Sequence, residues 1–173
     1  MTPALWIVLA ASLGAAATDL ARRRIPNGLV AALAIAGFAL NAWHGWQPLV
    51  ASLGIAAAVL AAGTFAHALG AIGGGDVKLL AAAAATLNYP DCIPFVLYTL
   101  LCGGLLALAL SALRGRLRPT LANLHGMLLP MLAGVAPVAP ARSIAMPYAV
   151  AIAAGTLLLA LTKAVAPQLG IFA

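Results

Sequence analysis

Residues 49–69 have the sequence LVASLGIAAAVLAAGTFAHAL, an apolar run that contains no Asp, Glu, Lys or Arg. About 20 such residues in a helix cross the hydrocarbon core of a bilayer. Comparable runs recur along the chain, in which 65% of the 173 residues are hydrophobic, 7% are charged and the mean hydropathy is +1.10. Soluble globular domains have a very different composition. Residues 1–173 are therefore predicted to form a single domain within a membrane.

The apolar runs, separated by short polar or Gly/Pro-rich breaks, predict an all-α bundle of about six transmembrane helices. We expect these helices at residues 3–20, 28–43, 49–69, 77–88, 92–113 and 144–164. The fourth is too short to cross a bilayer at about 1.5 Å per residue, so it either begins below the membrane surface, which we favour, or extends through the break at residues 88–90. The proline-containing stretch from Pro119 to Pro140 is predicted to be re-entrant or interfacial.

The basic residues predict the orientation of the bundle. If the helices alternate in direction, nearly all basic residues lie on one side of the membrane, and only Lys163 lies near the other. Those on the shared side are Arg22, Arg23, Arg24, Lys78, Arg114, Arg116, Arg118 and Arg142. Because Lys and Arg are enriched in cytoplasmic loops, we expect that side to be cytoplasmic and both termini to be outside. The net charge of +6 is scattered between apolar runs, which does not indicate a nucleic-acid-binding surface.

The acidic residues are few enough to identify the candidates for chemistry. The chain has no glutamate, and its three aspartates are Asp19, Asp76 and Asp91. A carboxylate within a membrane helix costs roughly 2.5 to 3.5 kcal/mol on insertion scales, which makes Asp19 and Asp76 candidates for function. The predicted topology places both on the cytoplasmic side and Asp91 on the opposite side. Two neighbouring carboxyl groups that share a proton can activate a water and protonate a leaving amine, so this pair indicates aspartic protease chemistry.

Other interpretations remain open for the same residues. Asp76 fits an N-cap at the start of a helix, and Asp19 fits a partner for a neighbouring arginine. A small proton- or ion-coupled transporter would also need membrane carboxylates, although it predicts one near the bilayer midplane. Asn27 is expected to cap the second helix, and His67 is expected to be an ordinary boundary residue. No metal or cofactor is expected, because the chain has no HExxH motif and no CxxC pair.

Two segments resemble the type IV prepilin peptidases, which are membrane proteases with a GxGD motif. They are residues 19–27 (DLARRRIPN) and residues 73–80 (GGGDVKLL), and residues 144–151 (IAMPYAVA) are similar to the start of the family's last helix. The resemblance implies that Asp19 and Asp76 are the catalytic residues. It also implies supporting roles for the motif residues Arg23, Arg24, Pro26, Asn27, Gly73, Gly74, Gly75 and Lys78.

The resemblance further implies a substrate and a location. The substrate is expected to be a prepilin whose short basic leader lies in the cytoplasm ahead of a hydrophobic helix, with lipids as the surrounding partner. The chain is similar to the short form of the family that serves Flp-type (tight adherence) pili in the bacterial inner membrane. Longer members carry paired CxxC motifs and also N-methylate the pilin, an activity that is not expected here. Archaeal preflagellin peptidases are an alternative, and the oligomeric state stays open.

Overall fold

A computed structural model describes residues 2–115 and 147–165, together with residues 122 and 126. The helices whose bounds lie in the two long ranges are α1 (Pro3–Arg22), α2 (Asn27–Trp43), α3 (Trp46–Ala68), α4 (Gly74–Leu87), α5 (Cys92–Leu113) and α6 (Tyr148–Val165). These ranges contain no β-strand, which confirms the all-α prediction. The predicted re-entrant segment, apart from Ala122 and Gly126, lies outside the described residues, as do three of the basic residues on the shared side.

The lengths of the helices identify an integral membrane protein. Four of them, α1, α3, α5 and α6, are long and apolar enough to cross a membrane. The shorter apolar helix α2 has 17 residues, and α4 has only 14. The bundle predicted from the sequence is therefore confirmed, and so is the short fourth helix. It ends at Leu87 and does not continue through the break that follows.

Three helix starts differ from the prediction by three or four residues. Helix α3 begins at Trp46 and not at residue 49, so Pro48 lies in its first turn. Proline is tolerated there because the N–H groups of the first turn have no acceptor within the helix. Helix α4 begins at Gly74, three residues earlier than expected, and so includes two of the three consecutive glycines. Helix α6 begins at Tyr148, because a proline at position 147 disfavours helical backbone in the residue before it.

Helix α4 lies at the centre of the bundle. It contacts each of the other five helices named above, while α5, α6, α1, α2 and α3 pack side by side around it in that order. From Asp76 to Leu87 every residue of α4 except Lys78 is buried. The small side chains of residues 81–86 (AAAAAT) explain this position, because small residues let neighbouring helices approach closely in a membrane.

Glycines on the surrounding helices make the closest of these approaches. A β-carbon added at Gly37 of α2 would lie 2.1 Å from Oγ1 of Thr86, and one at Gly63 of α3 would lie 2.6 Å from a methyl group of Val77. Helices α5 and α6 meet in the same way, since a β-carbon at Gly155 would lie 2.4 Å from the hydroxyl oxygen of Thr99. No side chain fits at these contacts.

Short connections make α1 to α5 run in alternating directions, and the contacts of α6 show that it runs antiparallel to α5. The C-terminal ends of α1, α3 and α5 therefore share one end of the bundle with the N-terminal ends of α2, α4 and α6. Contacts fix this register, since Ile25 lies beside Gly75 and Tyr148 lies beside Gly103. We call this end, which carries Asp19 and Asp76, the aspartate end.

At the opposite end of the bundle, polar side chains form hydrogen bonds between the helices. Nδ2 of Asn88 donates to Oδ1 of Asn41 at 2.7 Å and to the carbonyl oxygen of Pro48 at 2.9 Å. The hydroxyl of Ser52 donates to the carbonyl oxygen of Ala85 at 2.8 Å. Asn88 has a φ of 58° and a ψ of −178°, which is not helical backbone, and α4 ends there. These bonds tie α2, α3 and the C-terminal end of α4 together.

An ion pair between Asp91 and Lys163 lies at this opposite end as well. It joins the start of α5 to the end of α6, and both side chains are partly buried. The predicted separation of Asp91 from the other two aspartates is confirmed. The pairing itself was not predicted, because the two residues are far apart in sequence.

Substituting Gly37 with alanine tests the close packing of α2 on α4. The added methyl group would overlap Thr86, including its backbone, so the two helices must separate; overpacking of this kind typically costs about 1 to 3 kcal/mol. We expect a lower thermal unfolding midpoint in detergent for Gly37→Ala. Gly54→Ala is the matched control, because a β-carbon at Gly54 meets nothing within 4 Å. Equal midpoints for the two variants would contradict this packing.

Candidate active site

The aspartate end contains a cavity of about 540 Å³. Its wall is formed by the C-terminal ends of α1 and α5, the turn between α3 and α4, and the N-terminal ends of α4 and α6. The ionisable side chains on this wall belong to Asp19, Arg23, His67, Asp76, Arg114 and Tyr148. The two aspartates that the sequence predicts as a pair therefore line one cavity, although 57 residues separate them in the chain.

Asp76 lies between the N-terminal ends of two helices. Gly73 is the N-cap residue of α4 and Asp76 is the third residue of that helix, a position from which a carboxyl group reaches back to the N-cap N–H. Backbone N–H groups of Gly73 and of Ala149 in α6 lie near the Asp76 carboxyl. Both helix dipoles present their positive ends to this carboxyl group. The interpretation of Asp76 as the N-cap itself is wrong, since Gly73 holds that position.

One oxygen of Asp76 is left without a hydrogen-bond donor. Among the residues that the structure describes, none donates to Oδ1, although solvent does not reach this atom. A buried polar atom without a partner typically costs about 1 to 3 kcal/mol, and such atoms in native proteins are few. Helix capping does not explain why Oδ1 is buried without a donor, because a capping carboxyl group uses only the side that faces Gly73.

Asp19 approaches the same site from the last turn of α1. Its side chain is half-buried, and it is close enough to Asp76 for the two charges to interact. Helix α1 ends directly afterwards, where the N–H of Arg23 donates to the carbonyl oxygen of Asp19 at 2.8 Å and Arg23 takes a left-handed φ of 50°. This ending turns the chain away and leaves the Asp19 side chain on the cavity wall.

Neither aspartate of the cavity is neutralised by an arginine that the structure describes. Arg23 and Arg114 line the same cavity, yet the ion pair found among residues 2–115 and 147–165 joins Lys163 to Asp91 at the other end. The interpretation of Asp19 as the partner of a neighbouring arginine therefore finds no support in these ranges.

The other motif residues divide into those at the cavity and those beside it. Arg23 is on the wall, whereas Arg24, Pro26 and Lys78 are exposed and do not line it. The expectation that Asn27 caps α2 is wrong. Asn27 is the first helical residue, the N-cap is Pro26 in an extended conformation, and no side chain caps the helix.

The three glycines of the motif are not equivalent. A β-carbon at Gly73 would lie 2.6 Å from Oδ2 of Asp76, which is closer than real contacts allow. At Gly74 and Gly75 the nearest atoms would lie at ordinary contact distances, 3.7 Å from His67 and 3.6 Å from Ile25 respectively. Of the three, only Gly73 is required by its contact with Asp76.

Sequence reasoning did not assign three residues of the cavity wall to the site. His67, expected to be an ordinary boundary residue, lines the cavity, and its Nδ1 lies 2.8 Å from the carbonyl oxygen of Ile72. Tyr148 is buried against Gly103, and Arg114 ends α5. The adjacent Pro147 marks the start of α6 and could have indicated Tyr148. Nothing in the sequence indicates which way His67 or Arg114 faces.

The wall groups suit proton transfer better than metal binding. Across the described part of the chain, no group of three His, Cys, Asp or Glu side chains could hold a metal ion. Cys92 and Cys102 are both free thiols. Two carboxyl groups that face one cavity can instead share and exchange protons with a bound molecule.

Comparison with known proteins identifies one family. A model of the type IV leader peptidase family matches residues 6–108, which is more than half of the chain. The matched segment includes both aspartates of the cavity and the glycines that precede the second. No significant match to a curated protein or to a solved structure was found.

Proposed function

This chain belongs to the type IV leader peptidase family and is a membrane peptidase, and on that premise we propose that it cleaves prepilin leaders with Asp19 and Asp76 as its catalytic pair. The observation that carries the proposal is the placement of both carboxyl groups on the wall of one 540 Å³ cavity, close enough for their charges to interact. Within the described ranges, neither carboxyl group forms an ion pair.

The proposed mechanism uses one proton shared by the two carboxyl groups. The ionised carboxylate takes a proton from a water molecule as its oxygen attacks the carbonyl carbon of the scissile peptide. The protonated carboxyl group of the other aspartate donates its proton to the carbonyl oxygen. The tetrahedral intermediate then collapses as one of its hydroxyl groups returns a proton to the second aspartate, the C–N bond breaks, and the leaving amine takes the proton that the first aspartate took from water.

The surroundings of Asp76 support this assignment. The N–H groups of Gly73 and Ala149 lie near its carboxyl group, and Oδ2 lies on the side that faces Gly73. Oδ1, which has no donor among the described residues, then keeps the capacity to bind the proton shared with Asp19. A catalytic group that is held in place before substrate binds loses less free energy to reorganisation during the reaction.

The distribution of charge supports a cytoplasmic active site. In the described ranges the aspartate end carries Arg22, Arg23, Arg24, Lys78 and Arg114, whereas Lys163 belongs to the opposite end. Such a bias is typical of a cytoplasmic side, and we place the protein in the bacterial inner membrane. A prepilin with its leader in the cytoplasm and its hydrophobic helix in the bilayer would present the scissile bond at this end.

Within the family we propose Flp-type prepilins as the substrates and lipids as the partners of the exposed apolar side chains. This rests on the resemblance to the short form of these peptidases. N-methylation of the product is not part of the proposal. A preflagellin as substrate would use the same site, whereas a transporter would need a carboxylate along a path through the bilayer. Both cavity aspartates lie instead at one end of their helices.

Replacing either cavity aspartate by asparagine tests the dyad. Asparagine keeps the shape of the side chain but cannot exchange the proton, and the loss of general acid or base catalysis typically costs 10²- to 10⁴-fold in rate. We expect Asp19→Asn and Asp76→Asn each to reduce processing of a co-expressed Flp-type prepilin by roughly 100-fold or more. Gel mobility and N-terminal sequencing of the pilin measure the processing.

The matched control is the double variant Asp91→Asn, Lys163→Gln. It removes an aspartate at the opposite end without leaving its partner charge unpaired, and we expect processing at the level of the wild type. Protein level in the membrane is measured for every variant. Full activity of either cavity variant would show that the dyad is not catalytic.

Gly73 and Gly74 provide a second test, because both begin the same helix. The methyl group of Gly73→Ala would displace Oδ2 of Asp76, and a small misplacement of a catalytic group can cost about 100-fold. We expect processing to fall roughly 10- to 100-fold in Gly73→Ala. In Gly74→Ala the methyl group meets only ordinary contacts, so activity should be retained. Equal activity of the two variants would contradict the role given to Gly73.

A further inference from the structure

The side chain of His67 crosses the turn that connects α3 to α4. Its Nδ1 lies 2.8 Å from the carbonyl oxygen of Ile72, and because a carbonyl only accepts, Nδ1 carries the proton and donates it. Backbone bonds shape the rest of the turn, from the N–H of Gly70 to the carbonyl of His67 at 2.9 Å and from the N–H of Ala71 to the carbonyl of Ala66 at 3.0 Å. His67 thus joins the end of α3 to the residue before the N-cap of α4.

The acceptor of this bond belongs to the same peptide group as the N–H of Gly73, which lies beside Asp76. The carbonyl of Ile72 and the N–H of Gly73 form one planar trans peptide group, so they point in opposite directions and rotate together. On one side His67 holds the carbonyl oxygen. On the other side the N–H of Gly73 faces the Asp76 carboxyl, whose Oδ2 lies against the Gly73 backbone.

We propose that His67 is a positioning residue for Asp76 and that it acts through the Ile72–Gly73 peptide group. The hydrogen bond from Nδ1 fixes the plane of this group and with it the direction of the N–H that orients the carboxyl group. The inference rests on the proposed function, because it assigns to His67 an effect on a catalytic aspartate.

The contacts of His67 distinguish this role from direct catalysis. Among the described residues, His67 makes no hydrogen bond or ion pair with Asp19 or Asp76. Its Nε2 and Cε1 atoms lie beside the first turn of α4, where they would be 3.7 Å from a β-carbon on Gly74. The ring therefore lies against the backbone that presents Asp76.

His44 provides a comparison, because its ring also hydrogen-bonds to a backbone carbonyl group. Nδ1 of His44 lies 2.7 Å from the carbonyl oxygen of Leu40, four residues earlier in its own helix and at the opposite end of the bundle. That bond only satisfies a carbonyl at the end of α2. His67 differs because its acceptor lies five residues later, outside its helix and next to Gly73.

Two substitutions of His67 distinguish the effect of its hydrogen-bond donor from the effect of its ring. Asparagine places an N–H donor at the position of Nδ1, whereas phenylalanine keeps a ring without a donor. With purified Flp-type prepilin as the probe, we expect His67→Phe to lower kcat about tenfold with KM unchanged, as for a lost interaction that orients a catalytic group. His67→Asn should recover most of kcat, and the control His44→Phe should match the wild type.

Amide exchange of Gly73, followed by NMR on protein labelled with ¹⁵N-glycine in detergent, gives a readout that does not need activity. We expect faster exchange at Gly73 in His67→Phe and wild-type exchange in His67→Asn and His44→Phe. Unchanged exchange in His67→Phe, or equal loss of kcat in the Phe and Asn variants, would overturn the inference. A wild-type protein that cleaves no prepilin would instead contradict the proposed function, and the Gly73 exchange would still decide the role of His67.

Discussion

The burial of one short helix at the centre of the bundle determines much of this structure. Helix α4 has 14 residues, nearly all buried, and contacts each of the five other helices. Because the surrounding helices cover its length, the polar groups at its two ends must find partners inside the bundle. Glycines opposite Thr86 and Val77 allow the approach that this enclosure requires. The placement of Asp76 follows from it, since this carboxyl group lies in the first turn of the enclosed helix.

The two ends of α4 meet this requirement differently. At the C-terminal end, Asn41, Ser52 and Asn88 supply hydrogen bonds that join α2, α3 and α4. At the N-terminal end, the N–H groups of Gly73 and Ala149 lie near the Asp76 carboxyl, yet Oδ1 has no donor in the described part of the structure. We interpret the C-terminal end of α4 as a structural anchor that holds the helices together. We interpret the N-terminal end as the site that keeps hydrogen-bonding capacity for a substrate.

Much of this arrangement could be predicted from the sequence because strong local signals determine it. Long apolar runs separated by Gly, Pro and charged residues gave the helices, and alternation of their direction brought Asp19 and Asp76 to one end. The central position of α4 was not predicted, since hydropathy does not tell which helix the others surround. The cap at Asn27 was wrong because Pro26 takes that position. His67 was missed because its role depends on where α3 ends and how the next turn folds.

The central claim is that Asp19 and Asp76 act as one catalytic unit, and a double-mutant cycle tests it most directly. The measurement is kcat for prepilin cleavage by Asp19→Asn, Asp76→Asn and the variant that carries both substitutions. Residues that share one proton lose their joint function when either is replaced, so effects within a catalytic unit are strongly non-additive. Our account predicts that the double variant is no slower than the slower single variant. Losses that multiply would show two independent contributions and would contradict the account.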